Sequence, residues 1–227
     1  MKLGVITYDH CHLKTEQLVN RYARNPQISE ICLFALPFTP RKAREVLFSH
    51  RPYQEHAIPT VCLSELDRVS FTNWDGREPI GHRVDLFVIT GAGLLDVGFA
   101  GGKPIVNAHP GVIPTSRGLD SFKWAILEND PLGVTLHLID NEVDKGDVLD
   151  IRFTPVFSAD TLETVARRHY ELELDMLADV LDVIDKRTPL FAPEKPAKKR
   201  MPAEKEAEMM RHFDVWKTSA IVSQAQR

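Results

Sequence analysis

The sequence predicts an α/β fold, a Rossmann-like, mostly parallel sheet flanked by helices, with a short C-terminal extension. Three observations predict it. Short apolar runs rich in β-formers alternate with helix-length stretches, the pattern of a parallel sheet with crossover helices. The run from Asp85 through Leu86, Phe87, Val88, Ile89 and Thr90 to Gly91 is apolar on successive residues, as a strand buried on both faces is. A length of 227 residues, 43% apolar and 26% charged, suits one well-buried core.

Taken in order, a strand is predicted over 2–7, a helix over about 15–24 and a second strand over 31–35. A basic helix over 41–48 and a short strand over 61–63 follow, then strands at 85–91 and 103–107. The last of these delivers Asn107 and His109 at its carboxyl end. Ligands of open α/β sheets bind beyond those ends, so the loops 8–13, 90–95 and 107–109 are expected to converge. A helix over 119–128 precedes strands at 133–139 and 148–153, joined by the turn-rich 140–147. Asp160, Thr161, Leu162 and Glu163 have the form of a capping box with Asp160 at the cap. The helix it starts is expected to reach about 186, with Leu162, Val165, Ala166, Met176, Leu177, Val180 and Ile184 in one apolar stripe. His169 and Glu173 fall inside that stripe at i, i+4 and are expected to satisfy each other. Residues 1–187 then form one catalytic domain and 188–227 an extension, with four prolines, a basic stretch at 195–200 and a helix-prone 203–211. The basic stretch reads as a solvated face.

The net charge of −4 and pI near 6.1 supply no basic field for nucleic acid. No run of about 18 apolar residues exists to span a membrane, and the opening apolar run is too short for a signal peptide. A cytoplasmic protein is expected. Three scattered cysteines imply no disulfide framework, and Cys32 and Cys62 read as small core residues. His10, Cys11 and His12 are adjacent with no distant partner, a poor match to zinc-ligand spacing, so no metal is expected and a substrate-contacting loop is favoured.

The chemistry concentrates further on. Asn107 and His109 lie two apart at a strand end, so both side chains project from one side of an extended backbone. Pro110 holds His109 extended. After them come Gly133, Val134, Thr135, Leu136 and His137, then Asp144, Lys145 and Gly146. A carboxamide and a protonated imidazole are suitable donors to a carbonyl oxygen under attack, and a carboxylate can collect the proton that the nucleophile releases. Singly, each is more simply a turn or core residue; in this order and spacing they read as an acyl-transfer site.

This set, with Pro114, Arg117 and Gly118, resembles the folate-dependent formyltransferase superfamily, strongly over about 85–150 and compatibly over about 1–186. The resemblance implies the formyltransferase fold and transfer of a formyl group from N10-formyltetrahydrofolate, as co-substrate, to a primary amine without a metal. It implies Asn107, His109 and Asp144 as catalytic residues, with His137 and Thr135 supporting. It implies a pterin site at Leu94, Leu95, Ile139, Asp140, Asn141 and Val143, and a homodimer. A first-strand loop of Tyr8, Asp9, His10, Cys11, His12 and Leu13 has no glycine nest for a phosphate, unlike glycinamide ribonucleotide transformylase. About 40 residues follow the last long helix, where methionyl-tRNA formyltransferases add a basic domain. Formyltetrahydrofolate deformylases carry an N-terminal regulatory domain, while the first strand here begins at residue 2. The remainder resembles the sugar N-formyltransferases, so the expected acceptor is an amino sugar, nucleotide-linked in that family's manner, met by His10, His12 and Arg117. Another small amine, hydrolysis of the formyl donor, and folate binding without catalysis are the alternatives.

Overall fold

A computed structural model describes residues 1–40, 43–140, 146–189 and 195–226. Strand β1 (Lys2–Tyr8) is followed by α1 (Leu13–Tyr22), β2 (Glu30–Leu36), β3 (Val69–Asn73), β4 (Leu86–Ile89) and β5 (Ile105–His109). Next come α2 (Ser121–Leu127), β6 (Gly133–Leu138), β7 (Val148–Phe153), α3 (Leu162–Ala178), the single turn α4 (Val180–Val183) and α5 (Ala203–Ala225). The strands form one sheet in the order β3-β2-β1-β4-β5-β6-β7. Strands β1 to β5 pair in parallel, whereas β6 pairs antiparallel with both β5 and β7. The fold class is the one the sequence predicts.

Alternation along the strands sorts the core into two faces. Leu3, Val5, Leu33, Val88, Val106 and Ala108 pack with Leu18, Val19 and Tyr22 of α1 and with Leu174 and Leu177 of α3. Their neighbours Ile6, Phe34, Phe87, Ile89 and Ile105 pack on the opposite face with Trp74 and Phe99. Each such large side chain, when fully buried, contributes roughly 1.5–3 kcal/mol. The same alternation puts Asn107 and His109 on the Ile105 face. Because Val134 and Leu136 belong to the first face, Thr135 and His137 share the face of Asn107 and His109. A third cluster joins Phe122 and Ile126 of α2 to Met209, Phe213 and Trp216 of α5.

Several elements differ from the sequence reading. The described part of the basic stretch, 43–48, is not helical. Its backbone donors are taken elsewhere, since Leu47 N and Phe48 N both donate to the buried Glu206 carboxylate. The stretch 61–63 lies in a 3-10 turn (Thr60–Glu65), and the edge strand is β3 instead. The cap of α3 is Thr161, with Thr164 as the reciprocal partner. Asp160 sits one residue outside, accepting from Phe157 N and paired with Arg168. That helix stops at Ala178, where Asp179 departs from helical geometry at φ −84° and ψ 9°. His169 and Glu173 do not satisfy each other; His169 Nδ1 meets Thr154 Oγ1 at 2.7 Å, and Glu173 binds Lys14 and Arg51. The C-terminal helix runs on to Ala225. Cys32 is buried, but Cys62 is half-exposed in its 3-10 turn.

Candidate active site

Parallel pairing sets Ile6 beside Ile89 and Ile89 beside Asn107, so the loops after β1, β4 and β5 emerge at one edge of the sheet. Across the antiparallel pair, Asn107 stands opposite His137 and His109 opposite Thr135. Directly opposed side chains in such a pair lie close enough to bond. His137 Nδ1 is 2.9 Å from the Leu138 carbonyl, which can only accept, so Nδ1 carries the ring proton. Nε2 lies 3.3 Å from Asn107 Nδ2 and accepts from it when the ring carries that single proton. This spends one of the two carboxamide hydrogens and sets which way the amide points.

His109 is 4% exposed. Its Nε2 lies 3.0 Å from the Ser116 carbonyl and 3.1 Å from Ser121 Oγ, while Ser121 Oγ donates to Gly118 O at 3.0 Å. The hydroxyl proton is used on Gly118, so the Nε2 proton serves both Ser116 and Ser121. Proton chemistry at His109 then belongs to Nδ1. The turn that brings these groups round is tight. A Cβ on Gly111 would fall 2.8 Å from Ser116 O and 2.9 Å from His109 Nε2. Thr135 braces the same turn, donating to Gly111 O at 2.8 Å and accepting from Ile113 N at 3.0 Å.

The C-terminal extension holds the far side of this turn. Lys198 N donates to Arg117 O and Leu119 N to Lys198 O, each at 2.9 Å. Gly118 between them has φ +87°, and a Cβ there would lie 2.3 Å from Lys198 O. Asp120 binds Met201 N at 3.0 Å and pairs with Arg44 and Arg200. Glu206 of α5, fully buried, accepts from Lys123 at 2.7 Å and Arg44 at 3.1 Å. The extension is thus tied to the residues that fix His109, a role its sequence did not signal.

On the β1 side a chain of hydroxyls decides the state of His12. Thr90 Oγ1 donates to Ile6 O at 3.0 Å, so it must accept from Thr15 Oγ1 at 2.8 Å. Thr15 in turn accepts from Thr7 Oγ1 at 2.6 Å and from His12 Nδ1 at 2.8 Å. His12 therefore presents Nε2 as an acceptor. Burial, then Lys14 and Arg51, lower its pKa to about 4, so the ring is neutral near pH 7. His10 stacks on Phe38 with ring centroids 4.8 Å apart. Arg117 is buried at 6% exposed.

Leu94 is 89% exposed, whereas Leu95 and Ile139 pack with Ala92 against the core cluster that contains Ile89 and Ile105. They form an apolar ledge beside Asn107. Asp140 is exposed. Asn141, Val143 and Asp144 lie outside the described residues. The flanks of that stretch return close to His137, since Leu138 N donates to Asp147 O at 2.9 Å and a Cβ on Gly146 would fall 1.9 Å from Leu138 O. Among the described residues, no group of three or more His, Cys, Asp or Glu is placed to hold a metal ion. No described helix is long and apolar enough to cross a membrane. Two hollows elsewhere, one beneath α5 near Trp216 and one at the amino edge near Lys2 and His82, lack this chemistry. The carboxyl edge is the better candidate because it gathers the polar groups.

Residues 84–181 match the family described as formyl transferase. This segment is similar to that family over less than half of the chain. The chain is 35% identical over 86 residues to methionyl-tRNA formyltransferase of Ehrlichia canis, covering 37% of this chain and 28% of that protein. It is 29% identical over 115 residues to dTDP-4-amino-4,6-dideoxyglucose formyltransferase of Mycobacterium bovis, covering 50% and 48%. The match thus spans less than half of either relative. A sugar N-formyltransferase from Shewanella shares the fold with TM-score 0.61 at 16% identity, over 94% of this chain and 88% of that one. Both Asn107 and His109 lie inside the matched segment. Ser116 and Ser121, which hold His109, and the Lys14–Glu173–Arg51 group were missed by sequence reasoning. The facing of Asn107 with His137 and of His109 with Thr135 was hinted at in sequence only by the apolar–polar alternation of β5 and β6.

Proposed function

We propose that this chain is a formyltransferase that moves a formyl group from N10-formyltetrahydrofolate to a primary amine, and that the amine belongs to a nucleotide-linked amino sugar. The observation that carries the reading is the pairing of Asn107 with His137 and of His109 with Thr135 on one face, at the carboxyl edge of the sheet. The ledge of Ala92, Leu95 and Ile139 suits a flat bicyclic ring, and Asp140, Asn141 and Val143 are assigned to the same ligand by the resemblance alone. Bound there, the donor supplies an activated formyl carbon attached to N10.

The neutral amine attacks that carbon, and negative charge develops on the formyl oxygen. Asn107 meets it with the Nδ2 hydrogen not used on His137, and His109, protonated at Nδ1, gives the second hydrogen bond. Asp144 takes the proton released from the attacking nitrogen. The carbon–N10 bond then breaks as the proton held on Asp144 passes, directly or through water, to the departing N10. His137 and Thr135 touch no reacting atom; one orients the carboxamide and the other braces the turn beneath His109.

Isotope-labelled donor incubated with an amine library, read by mass spectrometry with formate assayed in parallel, tests the proposal. Label is expected on amino sugars, with turnover reduced about 10²–10³-fold in Asn107→Ala and His109→Ala. Wild-type turnover in a folded His109→Ala protein would overturn the assignment. Labelled formate without labelled amine would make the protein a hydrolase. The similarity to methionyl-tRNA formyltransferase favours a second reading in which another amine is the acceptor, and the same library distinguishes it. A homodimer belongs to the proposal as well and is checked by light scattering.

A further inference from the structure

One buried charge cluster has no part in the chemistry above. Glu173 of α3, with its side chain 1% exposed, accepts from Lys14 Nζ at 2.5 Å and from Arg51 Nη2. The Lys14 side chain is 6% exposed and the Arg51 side chain 29%. One carboxylate therefore faces two cations. Among the described residues, no second carboxylate pairs with either, so the fully charged cluster has a surplus positive charge.

The surroundings do not cancel that surplus. His12, His50, His169 and Tyr170 are each shifted in part by Arg51, and none of them contributes a negative charge. Burial, aided by Arg51, holds the three imidazoles neutral near pH 7. Burial also lowers the Lys14 pKa against the pull of Glu173. Burial would raise the Glu173 carboxyl, but Arg51 and Lys14 more than offset it and keep the carboxylate ionised. A desolvated cation surplus is costly unless an anion arrives to balance it.

The position is as telling as the charge. Arg51 sits on a segment whose Gln54 carbonyl accepts from Leu13 N, at the start of α1 beside His12. On its other side, His50 stacks on Phe122 at 5.5 Å, and Phe122 packs on His169 at 5.3 Å. Arg51 therefore lies on a segment held between the loop after β1 and the first turn of α2. Glu173 engages one edge of the guanidinium, through Nη2, leaving Nη1 and Nε without a hydrogen-bond partner among the described residues. A planar guanidinium held through one Nη2 hydrogen keeps its second Nη2 hydrogen, with Nη1 or Nε beside it, as an edge that can bind an oxyanion.

We infer that Arg51, seated on Glu173 with Lys14 behind it, is the subsite for a phosphate or pyrophosphate group carried by the amine acceptor. It stands in for the glycine nest that the loop after β1 lacks. This rests on the reading of the candidate site as a formyl-transfer site, yet the binding it asserts is measurable without catalysis.

Calorimetric titration of the full chain with inorganic phosphate, inorganic pyrophosphate, and thymidine and uridine diphosphates is the test. Pyrophosphate is expected to bind the wild type with millimolar or tighter affinity, Arg51→Gln to weaken it at least about tenfold, and Arg51→Lys to recover part of the loss. Arg21→Gln removes a guanidinium from the exposed outer face of α1, where it pairs with Asp175, and should bind as the wild type does. Tighter binding of a nucleoside diphosphate than of pyrophosphate would assign the group to a nucleotide; equal binding would assign it to a simple phosphate ester. The inference is overturned if the wild type binds none of the probes at millimolar concentration, or if folded Arg51→Gln binds like the wild type. Should Arg51→Gln fail to fold, Arg51→Lys with unchanged affinity overturns it equally. Arg51-dependent binding without any formyl transfer would retain the subsite and remove the proposed reaction. Formyl transfer with an unchanged acceptor KM in Arg51→Gln would do the reverse.

Discussion

Replacing Gly111 by alanine tests the construction around His109. The new Cβ would lie 2.8 Å from Ser116 O, 2.9 Å from His109 Nε2 and 2.9 Å from Ser121 Cβ, where ordinary contacts begin at 3.4 Å. Each neighbour must retreat by about half an ångström, and the first two are the ends of one 3.0 Å hydrogen bond. Overpacking of this kind costs about 1–3 kcal/mol. Loss of glycine's freedom in the unfolded chain returns only about 0.4–1 kcal/mol, so net destabilisation is expected. A ring displaced by up to about 1 Å also loses up to about 10² in rate. Urea unfolding and single-turnover formyl transfer measure the two effects separately. Gly93→Ala, which adds a methyl group into open space, is the stability control. A Gly111→Ala protein with wild-type midpoint and rate would refute the idea that this turn positions the imidazole.

Three further outcomes are expected. Burial lowers the pKa of His169 to about 4 from 6.5, so between these values the unfolded chain binds a proton that the folded chain does not. Stability is then fully present above about pH 6.5 and falls by roughly 2 kcal/mol from this residue by pH 5; His169→Gln should flatten the slope measured by urea unfolding at pH 7 and 5. Glu206→Leu strands Lys123, 1% exposed, and should destabilise the protein by about 3–5 kcal/mol; a loss below about 1 kcal/mol in urea would deny the clamp. Thr15→Val removes the hub shared by Thr7, His12 and Thr90 and should cost about 1–3 kcal/mol. In that variant the His12 ring should also change tautomer, visible in its nitrogen chemical shifts; unchanged shifts would deny the hydroxyl chain.

Sequence pattern reveals what depends on neighbours and conceals what depends on distant partners. Strands β1, β2, β4 and β5 were legible because their central residues are almost continuously apolar. Strand β3 was missed because Val69, Ser70, Phe71, Thr72 and Asn73 alternate like an exposed ribbon. The apolar run at 61–63 follows Pro59 and closes into a 3-10 turn instead. Residues 43–48 carry helix formers, but Glu206, more than 150 positions away, takes the donors of Leu47 and Phe48. The continuation of α5 was present as Met209, Phe213 and Trp216 at helical spacing, all buried, although the sequence reading ended it at Arg211. At the site, Asn107 and His109 were legible from their spacing at a strand end, and Thr135 and His137 came from the family resemblance; their facing register is a finding of the structure. Lys14 and Arg51 could not be joined to Glu173 in the same way, being 159 and 122 positions from it.

The change of pairing at β5 explains why the site forms there. Parallel neighbours bring loops to a common edge but leave side chains staggered along slanted hydrogen bonds. An antiparallel neighbour sets residues squarely opposite one another, and this is how His137 reaches Asn107 and Thr135 reaches the turn beyond His109. The candidate site therefore combines the converging loops of a parallel sheet with one row of directly facing pairs. That row must also be braced from outside, since the turn after His109 packs against neither core cluster of the sheet. Thr135 braces it from below, and the Lys198 bonds brace it from the extension. An extension that looked like a solvated tail in sequence thus becomes part of the apparatus that holds the imidazole, through contacts no local pattern encodes.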